Sequence, residues 1–194
     1  MKVAIVKYNA GNIQSVTNAV RRFGLDPVIT DSGEELKSAD KVIFPGVGEA
    51  SSAMDYLRSK NLDTAIKSLT RPVLAVCLGM QLLCKYSDEN EAECLGILPY
   101  KVQRFPANRL KIPHMGWNNI SSLKSSLFEN VADDSRMYFV HSYFVESVDE
   151  TIAHTAYGSE FSAAVQHENF YGVQFHPEKS GQVGAKLLEN FLKI

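Results

Sequence analysis

Apolar residues fall into two rhythms along this chain. "KVAIVKY" (2–8) is a short, nearly continuous β-branched run, as expected of a strand buried on both faces. In "NIQSVTNAVRRFG" the apolar positions Ile13, Val16, Val20 and Phe23 are spaced for one helical face, and Gly24 is placed to end the helix. "PVIT" (27–30) and "DKVIFPG" (40–46) predict a second and a third strand. Residues 49–69 predict helix, with Ala53, Met54, Leu57, Leu62, Ile66 and Leu69 turned inward. "PVLAV" (72–76) predicts another strand and "LGMQLLCKY" (78–86) its helix. Alternation of this kind predicts a parallel sheet covered on both faces.

The second half changes texture. "RMYFVHSYFVE", "TIAHTAY", "FSAAVQHE" and "FYGVQFH" read as strands with little helix between them, an antiparallel extension packed on the sheet. "GAKLLENFLKI" closes the chain as an amphipathic helix. No repeat, low-complexity tract or linker interrupts the chain. The expected architecture is α/β: one domain over residues 1–194, with a mixed, mostly parallel sheet flanked by helices.

Composition narrows the function classes. The chain has 194 residues, 45% of them apolar, and a formal net charge of −2. Without a basic excess, nucleic acid is not an expected partner. The N-terminus lacks the apolar core and cleavage site of a signal peptide, and no apolar run approaches a membrane span. Cys77, Cys84 and Cys94 are odd in number and form no C-x-x-C pair, which fits a reduced, cytoplasmic setting.

The chemistry concentrates at "PVLAVCLGMQLL" (72–83). Cys77 stands where a strand gives way to a helix, beyond the carboxyl end of the strand where open α/β sheets bind ligands. A helix start favours a thiolate, and Gly79 lets the backbone pass close, as in a nucleophile elbow. A buried structural cysteine fits the same corner. A thiol nucleophile needs a base and an orienter, and "GVQFHPEKS" (172–180) offers both. His176 ends a β-type run, and Glu178, two residues on, shares its side of an extended chain. Taken alone, this pair also suits a solvated loop. "FPGVGEASSAM" (44–54) matches neither a Walker loop nor G-x-G-x-x-G. Its glycines permit close approach and peptide reorientation, so one of its amides and that of Leu78 are candidate oxyanion donors. An ordinary strand-to-helix turn is the alternative.

"CLGMQLL", "QFHPEKS" and "FPGVG" together resemble the class I (triad) glutamine amidotransferases, and the resemblance runs along the whole chain. Within that class, "YNAGNIQSV", "PGVGEASSAM", "IPHMGWN" and "YFVHSYF" look like the glutaminase subunits of imidazole glycerol phosphate synthases. The resemblance implies a flavodoxin-like fold and a Cys77–His176–Glu178 triad that hydrolyses glutamine. It implies an oxyanion hole from Leu78 and the Val47–Gly48 region. It assigns Gln81, Glu89, His141, Ser142 and Tyr143 to the glutamine pocket. Asn12, Trp117 and Lys179 match positions facing a separate β/α-barrel synthase, the partner in a heterodimer that receives the ammonia. No metal or organic cofactor is implied. Lys7, Asn9 and Glu49 depart from the usual family residues. Three rivals remain: a Cys–His peptidase or redox chaperone, another amidotransferase, and a non-catalytic binding subunit.

Overall fold

The computed structural model describes residues 1–106 and 110–194. The first half runs β1 (Val3–Val6), α1 (Ile13–Arg21), β2 (Val28–Thr30), α2 (Gly33–Lys37), β3 (Lys41–Phe44), α3 (Ala50–Ser59), α4 (Leu62–Lys67), β4 (Val73–Val76) and α5 (Leu78–Leu83). The second half runs β5 (Tyr86–Ser87), β6 (Ala92–Glu93), β7 (Lys101–Arg104), β8 (His114–Asn119), β9 (Arg136–His141), β10 (Tyr143–Val145), β11 (Thr151–Tyr157), β12 (Ser159–His167), β13 (Phe170–Val173) and α6 (Gly181–Lys193).

The continuous apolar runs lie in the middle of a seven-stranded sheet ordered β11-β12-β13-β4-β3-β1-β2. β2, β1, β3, β4 and β13 are parallel to one another, and β12 and β11 add antiparallel pairs at one edge. Alternation along each strand supplies both layers of the core. Ala4, Val6, Val42, Phe44, Val73 and Ala75 pack with Leu36, Met54, Leu57, Leu62, Ile66 and Met80 of α2 to α5. Val3, Ile5, Ile43, Leu74 and Val76 pack with Val16 and Val20 of α1 and Leu187, Leu188 and Phe191 of α6. The mostly parallel sheet between helical layers is the architecture expected from the sequence. Among the described residues no helix is long and apolar enough to cross a membrane.

Local chemistry alters four boundaries. The helix expected over 49–69 is two helices, because Asn61 takes a left-handed conformation (φ 55°) and turns the chain between α3 and α4. The short α2 has no apolar periodicity to announce it. Its signals are polar: the Ser32 side chain accepts from the Glu35 N–H (3.4 Å), with Glu34 and Glu35 in the first turn. α5 stops at Leu83, and the Lys85 N–H bonds the Tyr100 carbonyl (2.9 Å) as the chain enters β5. "RMYFVHSYFVE" is not one element of the sheet extension. It breaks at Ser142, so that β9 pairs with β8 as a separate ribbon while β10 joins a second sheet, β10-β7-β5-β6. Only β11 and β12 extend the main sheet antiparallel, and β13 is parallel to β4.

Asn61 tests the helix break. Asn61→Gly keeps the positive φ at little cost, whereas a β-branched Asn61→Val should lose about 1–2 kcal/mol of unfolding free energy. Urea denaturation of the two variants checks this. Equal midpoints would mean that the left-handed turn carries no constraint.

Candidate active site

Sequence folds the elbow through a backbone collision that only glycine avoids. A Cβ on Gly79 would lie 2.2 Å from the Phe44 carbonyl oxygen, so α5 rests directly on the end of β3. The Cys77 N–H still bonds the Val173 carbonyl (2.7 Å), which fixes the residue to the end of the sheet. The chain then turns within one residue, holding Cys77 at φ 53°, ψ −109°. Such a conformation costs on the order of 1–3 kcal/mol and persists only where its surroundings enforce it. Here β13 on one side and the Gly79–Phe44 contact on the other do so.

His176 and Glu178 arrive from the continuation of β13. The His176 N–H is held by the Tyr138 carbonyl (2.8 Å), and both side chains are essentially unexposed. His176 Nδ1 lies 2.9 Å from Glu178 Oε1. A carboxylate only accepts, so Nδ1 carries a proton and Nε2 is the nitrogen left to exchange one. Nε2 has no hydrogen-bond partner among the described residues, and the charge of the Cys77 sulfur acts on the ring across space. Burial disfavours the imidazolium, but the charges of Cys77 and Glu178 and the hydrogen bond to Glu178 outweigh it and hold His176 well above the ordinary histidine range. Burial likewise pushes Glu178 up, and hydrogen bonds from His176 and Asn12 overcome it, leaving the carboxyl below its usual range. The Asn12 amide donates to Glu178 Oε1 (3.0 Å).

A cleft of about 280 Å³ opens above the sulfur. It brings together Cys77, Leu78, Val47, Gly48, Gln81, Glu89 and the His141–Ser142–Tyr143 segment, with Pro113 and Val140 completing the wall. Gln81 Nε2 donates to the Tyr143 carbonyl and to Gln174 Oε1, each at 3.0 Å. Both amide hydrogens are committed, so only the Gln81 oxygen remains to receive a ligand's donor. Glu89 accepts from the Ala50 N–H (2.8 Å) at the start of α3, and its half-buried carboxyl is raised by burial. The neighbouring Glu49, a departure from the family pattern, caps α3: it accepts from the Ser51 N–H (3.1 Å) and from Asn90 (2.7 Å).

The two expected oxyanion donors stand differently. The Leu78 N–H is engaged by the Gly46 carbonyl at 3.2 Å, and the Val47 carbonyl accepts from the Gly11 N–H at 3.2 Å. The trans peptide therefore points the Gly48 N–H away from Gly11. Buried Tyr8 anchors this loop by donating to the Pro45 carbonyl (2.5 Å).

Of the expected partner-facing residues, Trp117 is 48% exposed beside Met115 at 62%. The Lys179 ammonium lies 5.9 Å from the Tyr138 ring centroid. Asn12 is not on the open surface. It is buried, with its amide turned to Glu178, because the carboxylate needs a second donor there.

Comparison with known proteins decides the family. The family model "Glutamine amidotransferase class-I" matches residues 4–194. The chain belongs to the class-I glutamine amidotransferases. Similar curated relatives in that family include the imidazole glycerol phosphate synthase subunit HisH of Bacteroides fragilis, 53% identical over 100% of both chains. The protein of the same name from Idiomarina loihiensis is 43% identical over 100% of this chain and 98% of its own. Among solved structures, one glutamine amidotransferase superposes with TM-score 0.76 at 18% identity, over 98% of this chain and 97% of its own. Another, from Thermotoga maritima, superposes with TM-score 0.65 at 17% identity, over 100% and 83%. Those two show a shared amidotransferase fold.

Two residues at this site, Tyr8 and Gln174, were not singled out in the sequence, and His114 in "IPHMGWN" carried only a structural reading, in a Pro-flanked turn. Gln174 had a signal, since it stands two residues before His176 as Glu178 stands two after it; in the structure the chain bends after β13 and Glu178 lies in a 3-10 turn over Pro177–Lys179. His114 sits on β8 with His141 as its register partner. Its Nδ1 lies 2.9 Å from His141 Nε2, while His141 Nδ1 lies 2.7 Å from the Tyr143 carbonyl. Because that carbonyl only accepts, His141 is protonated on Nδ1, and His114 must donate to its bare Nε2. Asn118 Nδ2 then serves His114 Nε2 (3.3 Å). Burial pushes His114 down to about 4 and His141 down to about 3, with His114 and His176 adding repulsion at His141.

This pair makes stability depend on pH. Unfolded imidazoles titrate near 6.5. The stability held by the neutral pair is full above that value and is lost as pH falls through about 4 and then about 3. The urea midpoint should therefore be lower at pH 5 than at pH 7.5, and His114→Gln should shrink that drop even while lowering the midpoint at pH 7.5. An undiminished drop in the variant would remove His114 from the effect.

Proposed function

We propose that this chain, a single amidotransferase domain over residues 1–194, is the cytoplasmic glutaminase subunit of an imidazole glycerol phosphate synthase. The observation that carries the reading is the buried His176–Glu178 pair, 2.9 Å apart, set against a thiol at a strained strand-to-helix turn above a cleft. The full-length likeness to curated HisH subunits supports the particular synthase.

Glu178 orients His176, and His176 takes the Cys77 proton as the sulfur attacks the side-chain amide carbon of glutamine. The C–N bond breaks as the imidazolium returns the proton to nitrogen, releasing ammonia. Water, activated by the same imidazole, then cleaves the thioester to glutamate. In the bound substrate the Gln81 oxygen and the Glu89 carboxylate are acceptors suited to an α-ammonium group, and His141, Ser142 and Tyr143 form the opposite wall. Ammonia passes to a separate β/α-barrel cyclase, which forms imidazole glycerol phosphate and aminoimidazole carboxamide ribotide. Trp117 and Lys179 contact that partner, and Asn12 lies between it and Glu178.

A glutamine-mimicking chloroketone should label Cys77 and spare Cys84 and Cys94, whose thiols burial pushes far up, Cys94 to about 12. Cys77→Ala should abolish glutaminase activity and leave synthesis from added ammonia nearly intact. Labelling of another thiol with Cys77 untouched would overturn the assignment.

The same reading makes the free chain a slow glutaminase. With the Leu78 N–H engaged by Gly46, the oxyanion hole lacks a donor until the loop at 45–48 moves, and one such donor is worth about 10²–10³ in rate. Ammonia release at saturating glutamine should be slow for the chain alone, faster with the synthase, and at least about a hundredfold faster when the acceptor nucleotide is bound. Lys179→Ala should weaken this activation more than it weakens glutamine binding. Equal rates in all three conditions would rule out gating by the partner.

A further inference from the structure

We propose that Gln174 is a catalytic residue whose side-chain N–H donates to the Cys77 sulfur and stabilises the thiolate. The inference rests on Cys77 being the nucleophile of the reaction proposed above.

Gln174 is fully buried, and its Nε2 lies 3.6 Å from Cys77 Sγ. Which end of its amide meets the sulfur is fixed by its neighbours. The Tyr143 carbonyl can only accept, so the Gln81 nitrogen must face it. The second hydrogen on that nitrogen points to Gln174, which must offer oxygen there, at 3.0 Å. The nitrogen of Gln174 is then left for the sulfur. A buried amide with an unmet end costs about 1–3 kcal/mol, so a reversed Gln174, which would set N–H against N–H at Gln81, is excluded there.

The sulfur needs this donor in only one of its states. As a thiol, Cys77 donates to the Val140 carbonyl at 3.8 Å. When the S–H bond breaks and the proton forms a bond with His176 Nε2, the electron pair stays on sulfur and the Val140 carbonyl becomes a repulsive neighbour. Gln174 keeps both its protons throughout and presents an N–H to the new charge. Cys77 is only 5% exposed, and a thiolate buried to that degree is costly without hydrogen-bond donors. His176 supplies one as imidazolium, and Gln174 supplies a second until the sulfur's electron pair forms the bond to the amide carbon of the substrate.

The test is the alkylation of Cys77 by iodoacetamide across pH 6–10, followed by peptide mass so that Cys84 and Cys94 do not contribute, together with glutaminase kinetics of the complex with its synthase. Gln174→Met fills the same space without a donor. Its Cys77 alkylation profile should move about one unit or more to higher pH. kcat should fall about tenfold to a hundredfold, the loss of one hydrogen bond to a charged group, with KM within about threefold. Gln174→Asn keeps an amide but withdraws it by one methylene, and it should give the same two changes where Gln174→Met does not fold. A variant that loses thermal stability but keeps the wild-type alkylation profile and kcat would make Gln174 a structural amide and overturn this inference alone. Glutaminase activity persisting in Cys77→Ala would overturn both this inference and the reading beneath it.

Discussion

The contact between Gly79 and the Phe44 carbonyl organises the site. With no side chain at Gly79, the first turn of α5 settles on the carboxyl end of β3, and two adjacent parallel strands deliver their loops to one point. That closeness seats the Gly46 carbonyl on the Leu78 amide and forces Cys77 through its tight turn. A Cβ on Gly46 would strike Tyr8, Gly79 and Leu78 at 2.5–2.7 Å, so the loop after β3 is wedged from both sides and has little freedom except in how its peptides face. The same contact that presents the Cys77 sulfur therefore also occupies the Leu78 amide, one of the two proposed oxyanion donors.

A second constraint is directional. The Tyr143 carbonyl accepts from His141 on one side and Gln81 on the other, and each of those acceptances dictates the next hydrogen along. One backbone oxygen thereby sets the tautomers of two histidines and the orientation of two buried amides. Tyr143 opens β10, the edge strand of the second sheet, and its carbonyl meets side chains of the site, His141 and Gln81.

The parts of this architecture legible in the sequence were those written in apolar periodicity. The four-residue buried strands, the inward faces of α1 and α6, and the strand-to-helix corner at Cys77 follow from spacing alone. The approach of His176 to Glu178 does not: spacing alone also suited a solvated loop, and the pair is closed by a 3-10 turn over Pro177–Lys179. Features governed by single polar contacts were not legible. The left-handed Asn61 interrupts an unbroken amphipathic pattern, and α2 rests on a Ser32 cap. "IPHMGWN" looks like a Pro-flanked turn until His141 pairs across from His114. Asn12 carries no mark in the sequence of the buried carboxylate it serves, since the two are 166 positions apart. Gln174 was within reach of the alternation argument already applied to its two neighbours.

The polar string from Asn118 through His114, His141, Tyr143, Gln81 and Gln174 ends at the Cys77 sulfur, and three of its members, Asn118, Gln81 and Gln174, are side-chain amides. An imidazole passes a proton from one nitrogen to the other, but an amide does not relay one without becoming an imidic acid. The string is therefore an electrical support and a protonic insulator. It carries dipole alignment from the exposed ribbon of β8 and β9 to the sulfur while barring a Grotthuss path between them. Along this string, acidity at that ribbon has no wire to the Cys77 sulfur, and His176 stands outside it.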